Sequence, residues 1–211
     1  METHTFSKRE EVANAITHGI GAVLSVAALV LLVVYASLNG NAWQIVAVSI
    51  YGASMLTLYV SSTLVHAFRP GKWKDLFEIF DHASIYLFIA GTYTPLLLVV
   101  LRGTLGWTLF GIVWGIALVG VVFKVFFVKR FVVLSTVFYL LMGWIIVIAW
   151  GPLTETFPFG GMVYLVVGGV LYSIGTIFYV WRSFQFHHAV WHLFVIAGTV
   201  MHFFAVFLYI L

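Results

Sequence analysis

Seven long apolar runs constrain this chain more than any other feature of its sequence. A membrane-spanning helix needs about twenty mostly apolar residues, and that template divides the sequence at short turn-forming breaks such as Asn39-Gly40-Asn41. The predicted spans cover residues 16–38, 43–68, 83–101, 107–128, 131–150, 162–182 and 186–211. Because backbone groups in lipid must be paired within the protein, the sequence predicts an all-α polytopic membrane protein, a bundle of seven transmembrane helices.

The composition agrees with a membrane protein and gives no sign of a second domain. Of the 211 residues, 63% are apolar and 8% are charged, against about half and a quarter in soluble domains. We expect a short cytoplasmic tail over residues 1–15 and one seven-helix transmembrane domain over residues 16–211, because no linker or charge run divides the chain. The first apolar run is too long for the core of a signal peptide, so we expect it to stay in the membrane.

The basic residues predict the orientation of the bundle. When loops are assigned to alternate sides, nine of the ten Lys and Arg residues fall on one side and only Arg102 falls on the other. The nine are Lys8, Arg9, Arg69, Lys72, Lys74, Lys124, Lys129, Arg130 and Arg182. The positive-inside rule then predicts a cytoplasmic N-terminus and an external C-terminus in a cell (inner) membrane. Scattered over loops, these charges form no basic stripe, so no nucleic-acid partner is predicted.

Several histidines fall at one predicted depth near the cytoplasmic leaflet. His188 and His192 are four residues apart and therefore share a helix face. His66 lies at the inner end of the second predicted span, and Asp81 lies at the inner start of the third. At 1.5 Å per residue, a ligand at the wrong end of its helix would lie about 30 Å away. The chain has no cysteine, so a metal site here must use histidine, carboxylate or water.

This arrangement suits a catalytic zinc site. Three neutral imidazoles from His66, His188 and His192 would leave a fourth position open for water, whose pKa zinc lowers toward about 7. Asp81 is the carboxylate available to orient that water or to take its proton. Ser62 lies one turn before His66 and is placed to hydrogen-bond water or substrate, although serine in a span equally serves helix packing.

Further polar residues could orient the candidate ligands without contacting the metal. Glu11, Asn14 and His18 share a face of the first helix, where they either support the site or cap the span. His82 is a fourth candidate, because it lies beside Asp81. Considered alone, His18 and His187 lie near span ends, which favours an interfacial role in contact with headgroups or water.

Four sequence blocks resemble the signature blocks of the hemolysin III family, which belongs to the superfamily of progestin and adiponectin receptors. The blocks are EEVANAITHGIG at 10–21, SSTLVH at 61–66, FDHASIYLFIAGTYTP at 80–95 and HAVWHLFVIAGTVMHF at 188–203. The resemblance covers essentially the whole chain and suggests a bacterial member. It implies a seven-helix bundle with a cytoplasmic N-terminus and a zinc ion near the inner leaflet.

The resemblance also assigns roles to particular positions. It implies zinc ligation by His66, His188 and His192, with Asp81 and Ser62 holding the water beside the zinc. It further implies hydrolysis of a lipid amide, as proposed for the receptors, which are also likened to alkaline ceramidases. The short segment before the first span departs from the long extensions of the receptors, so a hormone-receptor role is not expected.

Two functions remain open at the level of sequence. One is a zinc-dependent hydrolase acting on the amide or ester of a membrane lipid. The other is a non-enzymatic haemolytic or pore-forming protein, or a membrane-homeostasis factor, with structural zinc. Retinal is not expected, because the last span lacks the lysine that a Schiff base needs, whereas bis-histidine haem ligation is chemically open. The sequence carries no signal for the oligomeric state.

Overall fold

The computed structural model describes residues 6–211, in which all regular secondary structure is helical. Within that range, seven helices are long and apolar enough to cross a membrane. They are α1 (Lys8–Asn39), α2 (Ala42–Ala67), α3 (Lys72–Val100), α4 (Thr104–Phe127), α5 (Val132–Thr156), α6 (Phe159–Val180) and α7 (His187–Tyr209). The prediction of an all-α, multi-pass membrane protein with seven transmembrane helices is confirmed.

The helices pack mainly against their neighbours in sequence. Helices α1 to α4 pack in order, α6 packs on α7, and α1 also packs on α7. Helix α5 contacts α3 and α6 only lightly. Short connections make successive helices antiparallel, so α1, α3, α5 and α7 begin at one face of the bundle, where α2, α4 and α6 end. We call this the amino-terminal face, and it carries all the candidate site residues.

Two helices begin well before the apolar spans that predicted them. Helix α1 begins at Lys8 rather than at residue 16, and α3 begins at Lys72 rather than at residue 83. The start of α1 is capped reciprocally: Ser7 N–H donates to Glu10 Oε2 (3.0 Å), and Glu10 N–H donates to Ser7 Oγ (3.3 Å). A search for apolar runs finds only the part of a helix that lies in lipid. It therefore did not detect the polar first turns of α1 and α3 at this face. Residues 8–15 of the predicted tail are therefore helical.

Pro95 ends the regular part of α3. Its ring removes a backbone donor, and residues Leu96–Val100 continue as a π-helical turn closed by Leu101 N–H donating to Leu96 O (2.9 Å). The apolar pattern of residues 83–101 does not distinguish this π-helical turn from regular α-helix.

Helix α5 is interrupted midway and runs to Thr156, beyond the predicted end at residue 150. Regular α-helix stops at Gly143, and Ile145–Ala149 form a 3₁₀ segment. Tyr93 of α3 satisfies the backbone at this break, because its hydroxyl donates to Gly143 O (2.6 Å) and accepts from Ile146 N–H (3.0 Å). Such a break is tolerated within a bilayer only when the freed groups find partners.

A buried hydrogen-bond cluster ties α2 and α6 to α7. The Thr199 hydroxyl donates to Val195 O (2.9 Å), so it accepts from the hydroxyls of Tyr59 (2.7 Å) and Tyr172 (2.9 Å). One threonine therefore serves as the acceptor for two phenols on two other helices. Interhelical hydrogen bonds of this kind favour helix association in membranes.

Replacing Thr199 by valine should destabilise the bundle by about 1–3 kcal/mol, because the buried Tyr59 hydroxyl and the partly buried Tyr172 hydroxyl would lose their acceptor. Thermal unfolding of the detergent-solubilised protein measures this loss. Thr57→Val is the matched control, because the exposed Thr57 hydroxyl donates only to Ala53 O within its own helix. Equal unfolding temperatures for the two variants would contradict the role given to Thr199.

Candidate metal centre

Helices α2 and α7 bring three buried histidines together at the amino-terminal face. His66 lies in the last turn of α2, and His188 and His192 lie in the first turns of α7. One ring nitrogen from each lies within 4.8 Å of the others. Nitrogens bound to one zinc at about 2.1 Å lie about 3.4 Å apart in a tetrahedral site, so side-chain shifts of roughly 1 Å would complete the geometry. The three predicted ligands therefore form a group that can hold a metal ion.

Each of the three histidines presents a nitrogen without a partner. The Nε2 atoms of His66, His188 and His192 are buried and make no hydrogen bond with any of residues 6–211. A buried polar atom left unpaired costs about 1–3 kcal/mol, and three such atoms in one place are exceptional. A metal ion would satisfy all three at once, so these residues fit the metal that the resemblance implies.

Glu11 of α1 fixes the tautomer of His66. The His66 Nδ1–H donates to Glu11 Oε2 (2.7 Å), which leaves a lone pair on Nε2 for a metal. The other carboxylate oxygen, Oε1, accepts from Lys74 Nζ (2.8 Å), and the same ammonium donates to Val65 O (2.6 Å). Glu11 thus joins α1 to α2 and α3, and it lies behind the candidate ligand His66.

His192 is oriented from behind by α1. Its Nδ1 lies 3.0 Å from Thr17 Oγ1 and 3.2 Å from Asn14 O. Because the Thr17 hydroxyl donates to backbone carbonyls, including Ala13 O (2.9 Å), it accepts from His192 Nδ1–H. The Nε2 lone pair then faces the site. Asn14 supports His192 through its backbone carbonyl, while its fully buried side-chain amide has no partner among the described residues.

The histidines predicted to be interfacial are buried instead. His18 is 1% exposed and stacks flat on His192 with ring centroids 3.4 Å apart. His187 is 2% exposed, and its Nδ1–H donates to Phe178 O (3.0 Å). The interfacial prediction is wrong for both, because closure of α1 onto α7 buries residues that lie near helix ends. His18 instead packs behind a candidate ligand.

His82 holds helices together rather than supporting the three histidines directly. Its Nδ1–H donates to Glu78 O (2.9 Å), its Nε2 accepts from the Tyr179 hydroxyl (3.3 Å), and its carbonyl accepts from the Tyr139 hydroxyl (2.9 Å). It lines the same cavity as His66 and His188, but no hydrogen bond or ring contact joins it to them within residues 6–211.

A polar cavity of about 380 Å³ opens beside the histidines at the amino-terminal face. His66, His188 and Asp81 line it. Asp81 is 5% exposed, its carboxylate oxygen Oδ2 lies 3.7 Å from His82 Nδ1, and it accepts no hydrogen bond from the described residues. Asp81 does not belong to the ligand group, so it is free to act on water or substrate in the cavity.

The Ser62 hydroxyl is also uncommitted. Its Oγ is buried and has no partner within residues 6–211. The neighbouring Thr63 behaves differently, because its hydroxyl donates to Tyr59 O (2.6 Å) within the helix. A serine that serves only helix packing usually makes such a bond, so Ser62 remains available to a water or ligand.

A second cavity, of about 140 Å³, extends into the membrane-spanning part of the bundle. Side chains of α3, α5, α6 and α7 form most of its wall, with His18 of α1 and Leu58 of α2, and the surface that they expose is mainly apolar. Tyr179 lines both cavities, and His18 lines the second. The histidine group therefore lies where a polar chamber meets an apolar one.

Sequence reasoning missed three neighbours of the site. They are Thr17, Lys74 and Phe6, whose ring lies 4.9 Å from that of His188. The face shared by Glu11, Asn14 and His18 also contains Thr17, so helical spacing carried a signal for that residue. Lys74 belongs to α3 and Phe6 precedes α1. No helical periodicity therefore relates either residue to the three histidines.

Replacing Glu11 by glutamine should weaken metal binding about 10- to 100-fold, as loss of a carboxylate behind a histidine ligand generally does. Competition between the purified protein and a chromophoric chelator measures the change. Glu155→Gln is the control, because Glu155 is an exposed carboxylate in α5 at the opposite face. Unchanged affinity in the Glu11 variant would show that this carboxylate does not support the ligand.

Comparison with known proteins agrees with the four sequence blocks. A family model described as Haemolysin-III related matches residues 6–203. The chain is 56% identical to "Hemolysin-3 homolog" of Bacillus subtilis (strain 168), over 97% of this chain and 96% of that one. It is 53% identical to "Hemolysin-3" of Bacillus cereus, over 96% and 93% of the two chains. "Monocyte to macrophage differentiation factor" of Homo sapiens is 29% identical, over 95% and 84%. The predicted family is confirmed: this multi-pass membrane protein belongs to the haemolysin-III related family.

Proposed function

We propose that this protein is a metal-dependent hydrolase that cleaves the amide or ester bond of an acyl lipid. The observation that carries the proposal is the convergence of three orphaned imidazole nitrogens between a polar and an apolar cavity. An amphiphile would place its reactive carbonyl in the first cavity and its chain in the second.

Zinc suits the donor set better than a harder ion does. Calcium and magnesium prefer oxygen ligands, whereas neutral imidazoles are typical zinc ligands, and three protein ligands with one open position are typical of catalytic sites. When bound by His66, His188 and His192, zinc would polarise a carbonyl and make a water more acidic. Glu11 and Thr17 would hold two of the three rings in the required tautomer.

Asp81 and Ser62 supply the remaining chemistry in this proposal. Water adds to the acyl carbon, and the Asp81 carboxylate accepts the proton that the water loses. The bond between that carbon and the nitrogen or oxygen of the leaving group then breaks, and the same proton passes to the leaving amine or alcohol. The products are a fatty acid and the free amine or alcohol. The Ser62 hydroxyl would hold the water or the carbonyl oxygen through a hydrogen bond.

The basic residues support a cytoplasmic location for the site. Nine of ten Lys and Arg residues belong to the side of the bundle that carries the histidines, so the positive-inside rule favours a cytoplasmic amino-terminal face. The substrate would then enter from the inner leaflet.

Fatty-acid release from ceramide and from monoacylglycerol by the purified protein in nanodiscs tests the hydrolase. We expect release that stops when a chelator removes the metal and resumes when zinc is added. Absence of release from a zinc-loaded protein, over a panel of acyl amides and esters, would contradict the proposal.

The names of the two Bacillus relatives favour a second candidate, a non-enzymatic haemolytic or pore-forming protein with a structural metal. Dye-loaded liposomes distinguish the two, because a pore releases dye without forming any product. Clear turnover without leakage would exclude the pore, and leakage without turnover would favour it. Restoration of membrane fluidity without turnover would instead favour a membrane-homeostasis factor.

A further inference from the structure

Arg182 is a cation of the metal cavity that has no carboxylate partner among the described residues. It follows the end of α6, lines the cavity together with His188 and Asp81, and makes no hydrogen bond or ion pair within residues 6–211. A guanidinium usually binds carboxylate or phosphate in a planar two-pronged geometry. Residues 6–211 do not supply that anion.

The two lysines that line the cavity are already paired. Lys74 binds Glu11, with Nζ 2.8 Å from Oε1. Lys129 donates to Asp75 Oδ1 (2.7 Å) and lies 3.4 Å from Glu78 Oε2. The hydrogen bond to Asp75 raises the pKa of Lys129, so the Lys129 ammonium stays charged at neutral pH. Arg182 is therefore the cavity cation left for a ligand in the described part of the chain.

The charge of the cavity favours an anionic ligand once a metal is bound. Four carboxylates line the cavity, those of Glu11, Asp75, Glu78 and Asp81, against three cations, Lys74, Lys129 and Arg182. A divalent ion at the histidines turns this deficit of one positive charge into an excess of one. Because the site is partly closed to water, an anion placed there interacts more strongly than it would at an open surface.

We propose that the site is selective for acyl lipids whose headgroup carries a phosphate, and that Arg182 binds that phosphate. This inference rests on the proposed hydrolase and adds a substrate class to it. The phosphate would lie in the polar cavity beside Arg182, the acyl carbonyl at the histidines, and the chain in the apolar cavity. A phosphate offers the paired oxygens that a guanidinium fork matches, and phosphate headgroups lie at the depth of this face of the bundle.

The first test measures binding without chemistry. The probes are 1-O-octadecenyl-glycerol 3-phosphate and 1-O-octadecenyl-glycerol, whose ether bond cannot be hydrolysed and which differ only in the phosphate. We expect the zinc-loaded full-length protein to bind the phosphate probe about tenfold or more tightly, the effect of one charge-assisted bidentate contact. Arg182→Gln should remove that preference and retain its metal. Arg182→Lys should retain part of it, because the charge remains and the fork is lost.

Arg130→Gln is the matched control, because Arg130 is exposed, belongs to the same face and does not line the cavity. It makes the same change in net charge and should leave the preference intact. Inorganic phosphate is added as a competitor to distinguish a lipid headgroup from a free anion. Free phosphate at about 10–20 times the concentration of the lipid probe should not displace the probe, because the octadecenyl chain supplies much of the binding energy.

The second test compares hydrolysis of oleoyl-glycerol 3-phosphate with that of monooleoylglycerol. We expect kcat/KM to favour the phosphate-bearing substrate by about tenfold, and Arg182→Gln to abolish this preference. Hydrolysis of both substrates at equal rates would overturn the selectivity and leave the hydrolase standing. If neither is hydrolysed, the ether probes still decide whether Arg182 binds the phosphate. Equal binding of the two ether probes, or displacement by free phosphate, would overturn the inference.

Discussion

Replacing His192 by alanine is expected to remove both the bound metal and lipid hydrolysis. The variant would leave two imidazoles, whereas zinc sites in proteins generally use three or four protein ligands. We expect metal affinity to fall by more than about a hundredfold, since even loss of a group behind a ligand costs 10- to 100-fold. Elemental analysis and fatty-acid release measure the two effects on the same preparation.

His202→Ala is the control for this variant. His202 lies on the same helix, its Nε2–H donates to Leu165 O (3.1 Å), and it is not in the ligand group. This variant should retain its metal. Added zinc should also raise the unfolding temperature of the wild type, because a ligand at a hundred times its Kd stabilises the folded state by about 2.7 kcal/mol. The His192 variant should show no such shift, and normal metal content in it would contradict the assignment of this ligand.

Replacing Asp81 by asparagine should abolish most hydrolysis while the metal stays bound. The amide keeps the shape of the carboxylate but cannot accept the proton from water, and general-base catalysis typically contributes 10²- to 10⁴-fold. We expect kcat to fall by that factor with little change in metal content. Activity and metal content should respond differently, because Asp81 lines the cavity but does not belong to the ligand group.

Asp75→Asn provides the comparison, because Asp75 is a carboxylate of the same helix already paired with Lys129. It should keep most of its activity. Full activity of the Asp81 variant would exclude this residue as the base. Loss of the metal from the Asp81 variant would mean instead that Asp81 is a ligand.

The hydrophobic spans predicted the number and type of helices because lipid permits few alternatives for a buried backbone. The spans located the ends of helices less well, since Lys8 and Lys72 begin helices whose first turns are polar. The common depth of His66, His188 and His192 followed from helix rise alone, and the structure places them in one group.

Other features of the site depended on which helices meet, and periodicity does not encode this. The position of Glu11 behind His66 and the stacking of His18 on His192 both require α1 to close against α2 and α7. The spacing of the α1 residues indicated a shared face but not the helices that this face would contact. Lys74 and Arg182 lie near the ends of α3 and α6, where no repeating pattern marks a functional side chain.

The central claim is that three imidazoles from α2 and α7 hold one metal ion. Elemental analysis of the purified wild type beside His66→Ala, with X-ray absorption at the metal edge, tests it most directly. We predict about one zinc per chain in the wild type, with nitrogen ligands at about 2.0–2.1 Å, and almost none in the variant. A wild type that holds no metal when zinc is supplied, or a His66 variant that holds as much as the wild type, would contradict the claim.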